Sequence, residues 1–210
     1  QARLLWASSD PGVAAVDTAG VVAAVATGTA TVSATAGAVA ATMRVVVQDL
    51  AVAYVDSAYA GGSSTGSSIA PFRTIAEAVT AVTAGGVVRI RKGTYGETVV
   101  IDKRLRLWGD SAGAVTIRAA SGNDGVRVTG TDSVEIRGVT IAGAAYNGIG
   151  VVGSLSGGPH VTISDVVIRN NTGMGLYVVR PGALQVIRSV LRANGNEGVR
   201  IADAATPARL

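Results

Sequence analysis

Several residue types that build common kinds of site are scarce in this chain. Cysteine is absent, histidine occurs once, and aromatic residues make up 4% of the 210 residues. The lack of cysteine excludes a disulfide framework and any thiolate metal site. No apolar run approaches the length of about 18 residues that a membrane-spanning helix needs, so no span is predicted. Hydrophobic residues still make up 48% of the chain, so Val, Ile, Leu and Ala must form its core.

The positive charge of this chain is dispersed. The net charge is +4 and the basic residues are almost all arginine, yet no three stand together and aromatic residues do not alternate with them. A nucleic-acid surface needs clustered basic charge, so the sequence predicts no nucleic-acid partner. A basic protein can still attract an acidic polysaccharide, which remains a candidate partner.

Residues 1–49 have the pattern of short strands separated by tight turns. Thr31, Ser33 and Thr35 alternate with apolar residues, which is typical of a half-buried strand. Four or five strands at this spacing favour a small β-sandwich. The segments that resemble bacterial immunoglobulin-like group 2 domains are Trp6–Asp17, Gly20–Val22 and Ala26–Val32. The resemblance implies a partial immunoglobulin-like module over residues 1–50.

The opening strands of that family would precede Leu4. A sandwich without them exposes unpaired backbone and apolar side chains, which folded proteins avoid. We therefore expect Leu4, Leu5 and Trp6 to form an assembly edge that a neighbouring module or a second copy of the chain covers.

Residues 51–86 are predicted to form a linker and an N-terminal cap. Gly61–Ser68 has the composition of a flexible loop. After it, apolar residues fall on one face of a helix: Ile75, Ala78, Val79 and Val82. Thr74 and Glu77 have the spacing of a capping box. Gly85-Gly86 is expected to end the helix.

The remainder of the chain is repetitive. Strand-like segments begin at glycines that are 23, 27 and 23 residues apart: Gly125, Gly148, Gly175 and Gly198. Two further strand-like segments keep similar offsets, so the pattern predicts a coil of three strands per turn that stacks on itself. One buried column is expected to contain Val126, Ile149, Leu176 and Val199.

The first part of this region resembles the right-handed parallel β-helix superfamily that includes pectate lyases. The segments that carry the resemblance are Tyr54–Asp56, Pro71–Ala78, Val88–Tyr95, Glu97–Ile101 and Leu105–Gly109. It implies β-helix rungs over residues 87–210. The fold class is then all-β, with a partial immunoglobulin-like sandwich, a short capping helix and a right-handed parallel β-helix. Activity does not follow, because this fold carries lyases, hydrolases, epimerases, phage spikes and surface proteins.

The resemblance implies that a segment that cleaves polysaccharide would group acidic residues on neighbouring rungs. The repeat pattern places no two carboxylates together. Asp165 and Glu197 are predicted to stand alone, and His160 follows Pro159 in a predicted loop. Asp56 beside the glycine-rich loop is a single carboxylate, which is too few ligands for calcium. We therefore predict no catalytic residue, no metal site and no cofactor in this segment.

One strand face offers side chains for sugar recognition. Arg127, Tyr177 and Arg200 occupy the outward position of corresponding strands. Tyrosine can stack on a sugar ring and arginine can bind acidic groups, although an ordinary solvated strand face is the alternative. Asparagines at corresponding turns are expected to adopt left-handed conformations and to stack through their side chains: Asn170, Asn171, Asn194 and Asn196.

Two functions remain open from the sequence. The first is a non-catalytic structural or adhesive protein of the bacterial cell surface, with the β-helix as a stiff stalk and the immunoglobulin-like module as a spacer. This hypothesis includes head-to-tail self-association into an extracellular fibre, with Val199, Arg200 and Ile201 as the second assembly edge. The alternative is a segment of a secreted polysaccharide lyase or glycoside hydrolase whose catalytic rungs are not in this chain.

Overall fold

The computed structural model describes residues 4–47, 50–119, 122–130, 132–154 and 157–202. The chain divides into two compact units, residues 1–49 and residues 50–210. Strands dominate both units, and the described part of the second unit also contains one short helix.

The first unit contains two antiparallel sheets. Its strands are β1 (Leu5–Ser8), β2 (Ala14–Val16), β3 (Val22–Ala24), β4 (Gly28–Ala36) and β5 (Val39–Val47). β1, β4 and β5 form one sheet in that order, and β2 pairs with β3. Ala14, Ala30 and Val32 are at most 2% exposed and form the centre of the unit. The core is small, because most side chains of the edge strand β5 are exposed.

The second unit is a parallel β-helix. In chain order its elements are β6 (Leu50–Val55), α1 (Ile75–Ala81), β7 (Val82–Ile90), β8 (Gly93–Tyr95), β9 (Val99–Ile101), β10 (Leu105–Gly109), β11 (Val115–Ile117), β12 (Val126–Thr129), β13 (Ser133–Arg137), β14 (Thr140–Ala142), β15 (Ile149–Val152), β16 (His160–Ser164), β17 (Val167–Arg169), β18 (Leu176–Val179), β19 (Ala183–Ile187), β20 (Val190–Arg192) and β21 (Val199–Ala202).

These strands form three parallel sheets that wrap one core. Sheet I contains β6, β7, β10, β13, β16 and β19; sheet II contains β8, β11, β14, β17 and β20; sheet III contains β9, β12, β15, β18 and β21. From β7 onward, the described residues visit sheets I, II and III in that order five times. The prediction of three strands per turn is therefore confirmed. β6 lies beside β7 in sheet I, so the segment expected to be a linker and cap also supplies a strand.

Inward side chains stack in columns from rung to rung. The predicted column is in register, with paired strands bringing together Val126, Ile149, Leu176 and Val199. The first three are fully buried, and each contributes about 1.5–3 kcal/mol of burial free energy. Val199 is only partly buried, because β21 has a described neighbour on one side only.

The helix begins where the sequence predicts and ends earlier. The Thr74 hydroxyl accepts a hydrogen bond from the Glu77 N–H at 3.2 Å, and the Glu77 carboxylate accepts one from the Thr74 N–H at 3.0 Å. This capping box is confirmed. A hydrogen bond donated by the Thr74 hydroxyl lowers the pKa of Glu77. The expected end at Gly85-Gly86 is wrong, because α1 ends at Ala81 and the following residue starts β7.

Gly85 and Gly86 have a different role in this strand. Gly85 has a φ of +85°, a backbone conformation that favours glycine. A Cβ at Gly86 would lie 2.7 Å from the carbonyl oxygen of Ala51 in β6. Gly86 therefore allows β7 to approach β6 closely, which a helix end at these glycines does not predict.

Candidate functional site

The outer face of sheet III carries the three side chains that the sequence singles out. Strand register aligns one outward column of Arg127, Gly150, Tyr177 and Arg200. Adjacent strands of a sheet lie about 4.8 Å apart, so Tyr177 and Arg200 are immediate neighbours. Arg200 is exposed and Tyr177 is partly exposed.

Arg127 lies apart from this pair. The position between it and Tyr177 is Gly150, where an added Cβ would collide with the Asp124 carboxylate. That carboxylate accepts hydrogen bonds from the backbone N–H and the side-chain amide of Asn147, at 3.2 and 3.0 Å. Arg127 is two rungs, or about 10 Å, from Tyr177. The structure therefore places only two of the three residues side by side.

A groove of about 490 Å³ lies beside Tyr177 and Arg200. Its lining also includes Tyr146, Asn147 and Met174. Tyr146 is 61% exposed. Two aromatic rings and a guanidinium group at one open groove can bind a sugar by stacking and by hydrogen bonding.

Tyr146 is a groove residue that the sequence analysis does not identify, because it lies in the turn between β14 and β15 rather than on a strand. Its carbonyl oxygen accepts a hydrogen bond from the Gly173 N–H at 2.8 Å. The side chain of Asn147 accepts one from the Met174 N–H at 3.0 Å. The signal available in the sequence is the position of Tyr146 two residues before Gly148, which marks a repeat.

A ladder of asparagines supports these turns. Asn171 is 2% exposed, and its side-chain oxygen accepts a hydrogen bond from the Ala144 N–H at 2.9 Å. Its side-chain nitrogen donates to Oδ1 of Asn194 at 3.0 Å. Asn170 has a φ of +56°, the expected left-handed conformation. Asn170 therefore has the predicted left-handed conformation, and Asn171 and Asn194 have the predicted side-chain stacking. Asn196 instead has an exposed side chain that lines the groove.

The acidic residue Asp165 has a basic partner that the sequence analysis does not identify. Arg188 donates to both of its carboxylate oxygens, at 2.7 and 2.8 Å. These hydrogen bonds, together with the positive charge of Arg188, lower the pKa of Asp165. The two residues are 23 apart and lie on successive turns of the coil. Glu197 is exposed, as expected.

The placement of His160 also differs from the prediction. It is the first residue of β16 rather than part of a loop, and its register partners are Ser133 and Ala183. Its side chain is exposed on the outer face of sheet I and lines a second groove of about 420 Å³. Glu135 lines the same groove and lies 4.0 Å from Arg106.

Asp56, the residue considered for calcium, forms structural contacts. Its carboxylate accepts a hydrogen bond from the Ala58 N–H at 2.9 Å and lies 3.3 Å from Arg91. Among the described residues, no three His, Asp or Glu side chains are grouped so that they could hold a metal ion.

The predicted assembly edges contain exposed apolar residues. Leu4 and Leu5 are 53% and 61% exposed, and β1 is an edge strand of its sheet. Trp6 is partly buried, because its ring packs against Gly20. In β21, Val199 and Ile201 are partly buried and Arg200 is exposed. Self-association at these edges stays a prediction.

Comparison with protein families identifies both units. Residues 2–47 match the bacterial Ig-like domain (group 2), and residues 105–208 match the right handed beta helix region. No curated protein matches the chain. In the part of the chain that the structure describes, no helix is long and apolar enough to cross a membrane.

Solved structures that match this chain include two pectin methylesterases. Pectin methylesterase PemA from Erwinia chrysanthemi is 15% identical with a TM-score of 0.38, over 73% of this chain and 66% of that one. A pectin methylesterase in complex with hexasaccharide VII is 17% identical with a TM-score of 0.38, and the match covers 71% of this chain and 65% of that one. This chain spans just under two thirds of either structure. The family matches and the parallel coil of strands show that the chain combines a group 2 bacterial Ig-like domain with a right-handed β-helix.

Proposed function

We propose that this chain is part of an adhesive protein of the bacterial cell surface, in which the β-helix binds polysaccharide through the groove on sheet III. The Ig-like domain would act as a spacer. The observation that carries the proposal is the pairing of Tyr177 and Arg200 on adjacent rungs, beside a groove that Tyr146 also lines.

The fold makes this groove suitable for binding a chain of sugars. Tyr177 and Arg200 project from strands that are hydrogen-bonded into a parallel sheet, so the sheet holds their backbones in place. A rigid binding surface loses little conformational entropy when the ligand binds, so more of the contact free energy contributes to affinity. The tyrosine rings would contact apolar faces of sugars, and Arg200 would bind their acidic or hydroxyl groups.

Binding without cleavage is favoured because two outer carboxylates already have partners. Asp165 is held by Arg188, and Asp124 by Asn147. A polysaccharide hydrolase or lyase needs a carboxylate or calcium that is free to act on the glycan. The alternative function, a segment of such an enzyme, predicts that this chain releases products from pectate or alginate in the presence of calcium.

Binding to a panel of neutral and acidic polysaccharides tests the proposal. We expect Tyr177→Ala and Arg200→Gln each to weaken binding about tenfold, the effect of losing one stacking or charge-assisted contact. Arg192→Gln is the matched control, because Arg192 is an exposed arginine on sheet II and its loss changes net charge equally. Equal affinity for all four proteins, or no binding to any glycan, would contradict the proposal.

Head-to-tail association is the second candidate, and the exposure of Leu4 and Leu5 together with the partly covered column at Val199 and Ile201 favours it. Apolar side chains at an unpaired edge gain free energy when a second copy covers them. Light scattering over a range of concentrations tests it. An average mass that rises with concentration in the wild type, but not in Leu5→Lys, supports the fibre. A mass that stays at the monomer value contradicts it.

A further inference from the structure

The last strand of the first unit, β5, is an edge strand with one open side. It pairs with β4 through nine consecutive residues, Val39–Val47, in a continuous antiparallel register. Within the described ranges, no other strand pairs with β5 and no backbone hydrogen bond joins it to another segment. The outer row of N–H and C=O groups of β5 is therefore available to a further strand.

β5 also carries exposed apolar side chains. Register places Met43 beside Val32 of β4, which is 2% exposed and belongs to the core of the unit. Met43 is 56% exposed, and Val39, on the same face of the strand, is 73% exposed. The apolar face that is covered over β4 thus continues onto β5, where side chains are in contact with solvent.

Two other edge strands are less open to strand addition. A loop covers part of β6, since the Tyr54 N–H donates to the carbonyl oxygen of Gly66 at 2.8 Å and the Phe72 N–H donates to that of Tyr54 at 2.9 Å. β1, at the opposite edge of the first sheet, has only four residues. Proteins block edges with short strands, covering loops, prolines and charges, and of these β5 has a single charge, on Arg44.

We propose that two copies of this chain pair through β5, as antiparallel strands around a two-fold axis at Met43. This register pairs all nine residues of both strands, because Val39 then faces Val47 of the second copy. Arg44 faces Thr42 of the second copy, so no like charges are directly opposite. The strand is self-complementary, which a two-fold interface between identical chains requires.

The pattern of β5 favours a second copy over a strand of another protein. Selection of a different strand requires side chains that reject the wrong ones, and β5 offers one charge for that purpose. In the self-pairing, the two Arg44 side chains are diagonal neighbours, about 7–8 Å apart. Salt screens their repulsion, so the dimer becomes stronger as ionic strength rises.

This interface differs from a fibre contact because it closes on itself. Once two copies share their β5 edges, neither edge is left for a third copy, so association stops at the dimer. Nine residues from each copy are fewer than the roughly 20–30 of a standard interface, so the dimer is weak and depends on concentration. The Ig-like domain is then a contact module as well as a spacer, independently of the sheet III groove.

Sedimentation velocity of the full chain over a range of concentrations tests the proposal, with substitutions at the exposed residue Thr42. Thr42→Glu places a carboxylate opposite Arg44 of the second copy, whereas Thr42→Arg places a guanidinium there. The two-fold axis repeats each pair. We therefore expect the dissociation constant of the dimer to fall roughly two- to thirtyfold with Thr42→Glu and to rise by a similar factor with Thr42→Arg.

Matched controls show whether position rather than charge decides the effect. Thr29→Glu and Thr29→Arg make the same charge changes on β4, at an exposed residue away from the open edge, and should leave the dissociation constant unchanged. Leu5→Lys should also leave it unchanged, so the dimer and the fibre can fail independently. Circular dichroism shows whether each variant is folded.

Hydrogen exchange adds a second measurement. Amides of β5 should exchange more slowly as concentration rises in the wild type and should respond less in Thr42→Arg. Slow exchange of all β5 amides in the monomer would show that another segment of the same chain covers the edge, which would overturn the proposal. A monomer at every concentration, a mass that rises beyond two copies, or equal dissociation constants for the two Thr42 variants would overturn it as well.

Discussion

The side-chain amide of Asn171 donates a hydrogen bond to Oδ1 of Asn194, 3.0 Å away and one turn further along the coil. Asn171 also donates to the carbonyl oxygen of Ile141 at 3.4 Å and accepts from the Ala144 N–H at 2.9 Å. One buried amide thus connects three successive turns. It supplies an acceptor for the Ala144 N–H and a donor for the Ile141 carbonyl oxygen, beside backbone hydrogen bonds between the turns such as that from the Thr172 N–H to the Ala144 carbonyl oxygen.

The first prediction concerns Asn171→Ala. The substitution leaves the Ala144 N–H buried without its side-chain acceptor, so we expect a loss of about 1–3 kcal/mol in the free energy of unfolding. Urea unfolding monitored by circular dichroism measures it. Asn196→Ala is the control, because this exposed side chain should contribute less than about 0.5 kcal/mol. Similar losses for both variants would argue against a stabilising ladder.

The second prediction compares two members of one core column. Leu176 is fully buried, and we expect Leu176→Ala to cost about 2–5 kcal/mol of unfolding free energy. Val199→Ala should cost less, because Val199 is partly exposed and loses fewer contacts. Trp108 fluorescence in a Trp6→Phe background follows the β-helix alone. A larger effect at Val199 would contradict the observed burial.

The third prediction concerns pH and the pair of Asp165 and Arg188. The pKa of Asp165 is lower in the folded protein, so its ionised form stabilises the fold above the ordinary aspartate pKa. This contribution is lost as pH falls through the lowered folded value. Asp165→Asn should therefore reduce stability slightly at neutral pH and have no effect in strong acid.

Urea midpoints across this pH range measure the difference, and Glu197→Gln is the control because Glu197 forms no ion pair in the described structure. The effect should shrink in high salt, since both side chains are solvent-accessible. A difference between wild type and Asp165→Asn that grows toward low pH would reverse the expected sign.

The fourth prediction concerns the start of α1. The Glu97 carboxylate accepts hydrogen bonds from the N–H groups of Ile75 and Ala76, both at 2.8 Å. Glu97→Ala removes both acceptors, and we expect a cost of about 1–2 kcal/mol, comparable to losing a helix cap. Hydrogen exchange at these two amides should increase in Glu97→Ala and much less in Glu97→Gln, which retains one side-chain oxygen. Unchanged protection in the alanine variant would exclude Glu97 as a cap.

Features with a local or periodic origin could be predicted from the sequence. The capping box of Thr74 and Glu77 requires only a three-residue spacing and two side chains that reach each other's backbone. The coil follows from the regular spacing of Gly125, Gly148 and Gly175, because stacking aligns equivalent positions. The Ig-like domain could be predicted because its strand and turn residues resemble those of the family over about 45 consecutive positions.

Tertiary structure decided the features that depend on irregular offsets. Trp108 lies 19 residues after Arg89 and 29 before Arg137, so the regular repeat does not align these side chains. Tyr146 joins the sheet III groove through a turn whose course follows from hydrogen bonds to the next rung. The helix ends at Ala81 because the next residues pair with β6. This pairing joins segments that are distant in sequence, so a local pattern does not predict it. Composition and spacing therefore determined the coil itself. The lengths of its turns decided which side chains meet on its outer faces, because strands take up their register only when successive turns stack.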